Sequence, residues 1–171
     1  MKRLLLTIAL MLGIAAMASA QNYAVVNSEK IFKSIDSYNA AITELDKLAN
    51  DYQAEVDKKF EDVETLYNKY MERRDQLNAA SQQATEQRIL EMEQEATKYQ
   101  ESIFGTDGTL MKRRLELIQP IQQKVFATIE EYAKKKGFDM IIDISQNATM
   151  LYYSAKADHT QAVIDMLGGK I

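Results

Sequence analysis

The chain of 171 residues has no cysteine and no tryptophan, one histidine (His159), one proline (Pro120) and six glycines. Without cysteine, thiolate zinc sites, iron–sulfur clusters, disulfide scaffolds and cysteine nucleophiles are excluded together. A lone histidine removes nearly every multi-histidine metal site and leaves little room for a Ser-His-Asp apparatus. Scarce Gly and Pro argue for long uninterrupted helices over a turn-rich β architecture. What is present is 46% apolar and 27% charged residues, enough to build a core and unlike the composition of a disordered segment. The balance disfavours an enzyme, and neither cofactor nor metal is expected.

The first residues, Met1-Lys2-Arg3, precede an apolar run from Leu4 to Leu12 and a small-residue end, Ala18-Ser19-Ala20. Two positive charges, an apolar core and an A-x-A end are the three parts of a secretory signal. We therefore expect residues 1–20 to be cleaved, leaving a soluble exported chain that begins at Gln21. The run is short for a membrane span, which needs about 20 residues, and no cysteine follows it to carry a lipid. Loss of Lys2 and Arg3 leaves 19 basic against 25 acidic residues, a net charge of −6. That sign disfavours nucleic acid or anionic lipid as the principal partner.

Tyr23 to Val26 reads as a short strand, and Ser28 as the cap of a short helix up to Ile35. From Tyr38 a long helical pattern begins. Apolar positions fall at Tyr38, Ile42, Leu45, Ala49, Tyr52, Val56, Phe60, Val63, Tyr67 and Tyr70, a heptad with one four-residue stutter. A helix from Tyr38 to Asn78 would be about 60 Å long at about 1.5 Å per residue, too long for a compact domain of this size to bury. It must protrude or pair. The small polar stretch Asn78 to Ser81 suits a tip, with Ser81 able to cap a return helix whose stripe is Ile89, Met92, Ala96, Tyr99 and Ile103. Gly105-Thr106-Asp107-Gly108 should bend the return helix and Pro120 should kink it. This glycine stretch lacks the Lys and the spacing of a phosphate loop. Lys134-Lys135-Lys136 and Gly137 mark its end.

Phe138, Met140, Ile142 and Ile144 alternate with Asp139, Ile141 and Asp143, predicting a strand with one buried face. Residues 150–153 read as a second strand, completing a hairpin, and Asp158 to Gln161 as a capping box opening a last helix. The expected class is α+β, with a small β-containing head built from 21–37 and 137–171. A helical hairpin, 38–136, is inserted between the two segments, its tip near 78–81. Three strands make a thin core for one protomer, so oligomerisation should complete the head.

Tyr-Ala-Val-Val-Asn-Ser-Glu-Lys-Ile-Phe (23–32), Gly-Phe-Asp-Met-Ile-Ile-Asp (137–143), Leu-Tyr-Tyr (151–153) and Asp-His-Thr-Gln-Ala-Val-Ile-Asp-Met-Leu (158–167), with the approach Leu-Ile-Gln-Pro-Ile-Gln-Gln-Lys-Val (117–125), run in order through the chain. In these segments the sequence resembles the Skp/OmpH family of periplasmic chaperones. The resemblance covers essentially all of 21–171 and rests on order and separation more than on any single motif. It implies a homotrimer whose strands form a shared β body, with three helical arms around a cavity. Unfolded outer-membrane β-barrel proteins would be held there, without ATP or metal, before membrane insertion. The head and trimer contacts would then come from Val25, Val26, Phe138, Met140, Ile142, Ile144, Leu151 and Tyr153. Clients would meet Tyr52, Phe60, Tyr67, Tyr70, Met71, Leu77, Met92 and Tyr99, whose apolar but adaptable side chains suit weak multipoint holding. Against this stands the first duty of a helical stripe, which is packing inside the hairpin. Tyr70, Met71 and Leu77, nearest the tip, are the strongest client-facing candidates.

The chain departs from the basic members of the family, whose positive charge is linked with lipopolysaccharide. At net −6 that binding, and anionic membrane association, is not carried over; Arg73-Arg74 and Lys112-Arg113-Arg114 read as solvated helix faces. Carboxylate pairs such as Asp57 and Glu61 support solubility, and His159 is expected at the surface. Asn147-Ala148-Thr149 matches a glycosylation pattern that matters only in a eukaryotic secretory route. The alternative is a non-enzymatic envelope spacer or adaptor, although the stutter, glycine bend and Pro kink suit flexing arms better.

Overall fold

The computed structural model describes residues 22–146 and 149–168. The signal expected at 1–20, Asn147-Ala148 of the glycosylation pattern, and Gly169, expected with Gly168 to end the last helix, lie outside them. The chain is α+β: among the described residues a two-stranded sheet and two short helices accompany three helices of 26 to 38 residues. The described residues divide into two compact units, one of 22–36 with 123–146 and 149–168, the other Ser37–Gln122. Gln123–Lys136, assigned on sequence to the arm, thus groups with the chain ends.

In the first unit, β1 (Tyr23–Val26) pairs in parallel with β2 (Met140–Asp143), Tyr23 opposite Met140 and Val26 opposite Asp143. A parallel pair needs a long crossover, and here the connection is residues 27–139, which hold all the long helices. The expected hairpin of 138–144 with 150–153 does not form. Residues 150–153 form no strand; β2 pairs with β1 instead, and on the other edge of β1 Val25 bridges to Asp158 and its carbonyl accepts from the His159 amide at 2.9 Å. Leu151 and Tyr152 are left 95% and 83% exposed. Nor does β2 have a deeply buried face. Met140 is 59% exposed, while Ile142, Ile144 and Phe138 are half-buried.

The core of this unit is β1 (Ala24, Val25 and Val26), Ile31 of α1 (Ser28–Lys33), Ile35, and Val163 and Leu167 of α5 (Thr160–Leu167). Val125 and Tyr132 join from the C-terminal half of α4 (Thr109–Lys136). Asn27, not Ser28, caps α1, its side chain accepting from the Lys30 amide. The Asn27 amide donates to Thr160 Oγ1 at 2.9 Å, and that hydroxyl donates on to Asp158 at 2.6 Å. The box at 158–161 therefore works through Asp158 and Thr160, while Gln161 turns to Asp165. His159 is not a surface residue. Its ring is half-buried against Phe138 (4.8 Å) and Tyr132 (5.6 Å), and Tyr132 Oη lies 2.7 Å from its Nδ1. Gly137 and Gly168 end α4 and α5 with φ of +70° and +86°, the left-handed geometry glycine tolerates best.

In the second unit, nearly all of α2 (Asp36–Arg73) pairs first with the start of α4 and then with α3 (Ala79–Phe104). The cross-links run Glu44 to Arg113, Glu55 to Tyr99 and Glu86 to Tyr70. The partner's number falls as the α2 number rises, which defines an antiparallel hairpin. The tip comprises a 3-10 turn (Arg74–Gln76) and Asn78, which caps α3 by accepting from the Ser81 amide. Asn78 thus takes the place expected of Ser81.

The glycine stretch breaks the return helix outright instead of bending it. A Cβ on Gly105 would sit 2.4 Å from the Glu101 carbonyl oxygen, and one on Gly108 2.4 Å from that of Ile103. The chain can turn this tightly only without those side chains. Pro120 lies within α4, which continues through it as a helix.

Candidate binding surface on the helical hairpin

Ala41, Leu45 and Ile118 form a core cluster at the broken end of the hairpin, and Val56, Tyr70, Ala96 and Ile103 are buried farther along it. Successive residues turn by about 100° on a helix. A residue just after a seam position therefore lies on one flank, and a residue just before it on the other. In an antiparallel pair the following residues of both helices share the same side.

The two flanks differ in chemistry. Residues preceding seam positions are polar and clasp the helices together. Arg113 donates to Glu44 at 2.7 Å and to Glu116 at 3.0 Å, Tyr99 donates to Glu55, and Lys59 stands 4.9 Å over the Tyr99 ring. The hydrogen bond to Glu55 holds the Tyr99 hydroxyl above its ordinary pKa, and the bond to Glu44 does the same for Arg113. The charged partners of Arg113 are largely open to solvent and screened, so these ion pairs align more than they stabilise.

Toward the two ends of the hairpin, residues following seam positions are apolar and exposed: Met71 after Tyr70, Leu90 after Ile89, Phe104 after Ile103, Met111 after Leu110, while Asp57, Glu64 and Thr97 after Val56, Val63 and Ala96 keep the stretch between polar. Phe60 and Tyr67 extend the same side of α2, with Leu90 and Tyr67 about half exposed. Two cavities open on this flank. One, near the tip, has a volume of about 410 Å³ and is lined by Tyr67, Tyr70, Met71, Arg74, Glu86, Ile89 and Leu90. The other, of about 230 Å³, lies under the glycine turn between Ala49, Phe104, Leu110 and Met111, with Asp46 and Arg114 also lining it.

The candidates named from the sequence separate accordingly. Phe60, Tyr67 and Met71 lie exposed on the apolar flank. Tyr70 is buried, with its hydroxyl on Glu86 at 2.5 Å, a bond that raises its pKa. Tyr52, Leu77, Met92 and Tyr99 are half-buried. Leu90, Phe104 and Met111 were missed because they fall outside the heptad. Apolar doublets at 89–90, 103–104 and 110–111 were the available signal.

In the head, Val25 and Val26 are buried in the unit's own core, whereas Leu151, Tyr153 and Met140 are exposed. Tyr23 and Met140 border a cavity of about 250 Å³ with Asn22, Asp139 and Ile142. Among the described residues no group of three or more His, Asp or Glu side chains is placed to hold a metal ion, and no helix there is long and apolar enough to cross a membrane.

The family model "Outer membrane protein (OmpH-like)" matches residues 22–167. The chain belongs to that family. An uncharacterised protein of Aquifex aeolicus (strain VF5) is 29% identical over 159 residues, 93% of each chain. The crystal structure of a candidate outer membrane chaperone (OmpH-like) from Caulobacter crescentus CB15 superposes with a TM-score of 0.64 at 12% identity, covering 90% of this chain and 87% of that one. At that identity the likeness establishes the OmpH-like fold, a helical hairpin beside a small β part.

Proposed function

We propose that this OmpH-like chain is a non-enzymatic, ATP-independent holdase. It is exported to the periplasm on residues 1–20 and shields unfolded outer-membrane β-barrel proteins before they insert. The observation that carries this reading is the apolar flank of the hairpin, where Phe60, Tyr67, Met71, Leu90, Phe104 and Met111 stand exposed beside two cavities. Exposed large apolar residues grouped around cavities and rimmed by charge mark an interaction site. Tyr and Met make it adaptable enough for clients of differing sequence. Tyr70 lines the cavity near the tip from the seam, and half-buried Tyr52, Leu77, Met92 and Tyr99 would add apolar edges that a client could reach.

The head has unfinished edges of its own. Tyr23, Met140, Leu151, Tyr152 and Tyr153 are exposed, and β2 has no second partner strand among the described residues. A homotrimer joined through these residues would cover them and gather three arms around a client. The acidic mature charge argues against lipopolysaccharide or anionic lipid as a further ligand.

An aggregation assay tests the proposal. The purified protein should suppress light scattering by an unfolded outer-membrane β-barrel protein diluted from urea, at about one trimer per client. Unsuppressed aggregation, with one folded partner captured instead, would establish the spacer alternative. Sedimentation equilibrium checks the trimer separately.

A further inference from the structure

We infer that the two cavities on the apolar flank act together, and that one extended segment of a client lies along the hairpin with an aromatic side chain in each. The inference rests on the holding role proposed above and specifies how the client is read.

The two cavities face the same way. Ala49 borders the one under the glycine turn and Tyr67 the one near the tip. They are 18 residues apart on a single helix, which is about five whole turns and about 27 Å. Phe60 lies between them on the same side, about three turns from Ala49. Across the hairpin Phe104 borders the first cavity and Leu90 the second.

Each cavity pairs an apolar wall with an arginine and a carboxylate: Arg114 and Asp46 in one, Arg74 and Glu86 in the other. The side chains of Arg114 and Asp46 have no ion-pair or hydrogen-bond partner among the described residues, whereas Glu86 already accepts from Tyr70 through Oε1 and has Oε2 left to offer. A guanidinium favours the face of an aromatic ring, and a carboxylate accepts from a phenol. At about 230 Å³ the cavity under the glycine turn falls below the usual small-molecule range of about 300–1,000 Å³. A single aromatic side chain, tyrosine above all, is the complementary occupant.

The separation selects the segment. An extended chain rises about 3.3 Å per residue, so about 27 Å spans about eight residues. Eight is even, so residues i and i+8 present their side chains on the same face. A transmembrane β-strand has about 9–11 residues, alternates apolar and polar positions, and carries aromatic girdles at both membrane interfaces. Its two girdle residues would reach the two cavities while the apolar residues between them cover Phe60. A soluble-protein strand is usually about 5–6 residues long and would reach only one.

Three 12-residue peptides of identical composition test this, with two tyrosines spaced eight, seven or four residues apart in an alternating apolar–polar background. Binding is read by fluorescence anisotropy alongside the aggregation assay on the same protein. The eight-spaced peptide should bind at least about tenfold tighter than the others, equivalent to about 1.4 kcal/mol. Ala49→Phe, which fills the cavity under the turn, and Leu90→Ser, which weakens the one near the tip, should each abolish that preference. If circular dichroism shows Ala49→Phe misfolded, Met111→Ser takes its place. Equal affinity for all three spacings with suppression intact would overturn the paired-cavity inference and leave the holding role standing. Failure of the unaltered protein to suppress aggregation would overturn the holding role itself.

Discussion

Tyr70 is buried and donates its hydroxyl to Glu86 across the hairpin at 2.5 Å, while the next residue, Met71, is half exposed on the apolar flank. Neighbours in sequence thus have opposite duties, one fastening the tip and the other facing outward. Tyr70→Phe should lower amide-exchange protection in the first turns of α3 while leaving a folded hairpin. Met71→Ser should leave protection and oligomer mass unchanged and weaken suppression of client aggregation. If Met71→Ser holds clients as well as the unaltered protein, the flank near the tip is not a client surface.

Ile31 is fully buried in the head. Truncation to alanine removes apolar contacts and leaves a cavity, at a cost of about 2–5 kcal/mol. Ile31→Ala should lower the urea midpoint by a corresponding amount. A shift equivalent to less than about 1 kcal/mol, where exposed-site changes fall, would show that the head core does not depend on it.

Two glycine substitutions should differ in kind. Gly137→Ala meets nothing within 4 Å, but φ is +70° there, so the expected loss is the about 1–2 kcal/mol of a left-handed non-glycine residue. Gly108→Ala would drive a methyl to 2.4 Å from the Ile103 carbonyl oxygen and 2.9 Å from that of Gly105. Since both neighbours are backbone, the turn must move, and thermal unfolding should show the larger loss for Gly108→Ala.

Acid should loosen the head in a defined direction. Burial alone would raise the Asp143 pKa, but hydrogen bonds from the Ser28 and Ser145 amides and hydroxyls outweigh it and hold the carboxyl below its ordinary range. Asp158 is lowered chiefly by the Thr160 hydroxyl. Both groups bind protons more readily when the chain is unfolded. Their stabilisation is therefore present above the unfolded carboxyl value of about 3.9 and is lost as pH falls through the folded values. Asp143→Asn should flatten the acid limb of a stability–pH curve; an unchanged limb would show that this carboxylate does not couple folding to pH.

The helices were legible because their signals are local and periodic. The stripe from Tyr38 to Tyr70, the tip near Asn78 and the terminal Gly137 each rest on residues within a turn or two of one another. The second strand at 150–153 failed for the opposite reason. Met150 to Tyr153 has a strand's composition, but β2 takes its partner from the far end of the chain, β1, and no local pattern announces that pairing. His159 was misplaced likewise, since Tyr132 and Phe138 approach it from elsewhere in the chain. At the candidate surface, the heptad marks what packs and says nothing of the residue beside it, so Leu90 and Phe104 were passed over while buried Tyr70 was favoured.

The parallel pairing of β1 with β2 also imposes an order of assembly. Tyr23 and Met140 are opposite each other yet 117 positions apart. A chain made from its N-terminus completes Tyr-Ala-Val-Val long before the strand that will pair with it exists. The hairpin, whose glycine turn and tip join neighbouring segments, can close in the interval, whereas the head waits for the C-terminal segments. Until then the apolar β1 is an open strand edge, the kind of surface on which chains aggregate. This protein must itself pass through the hazard against which it is proposed to guard others.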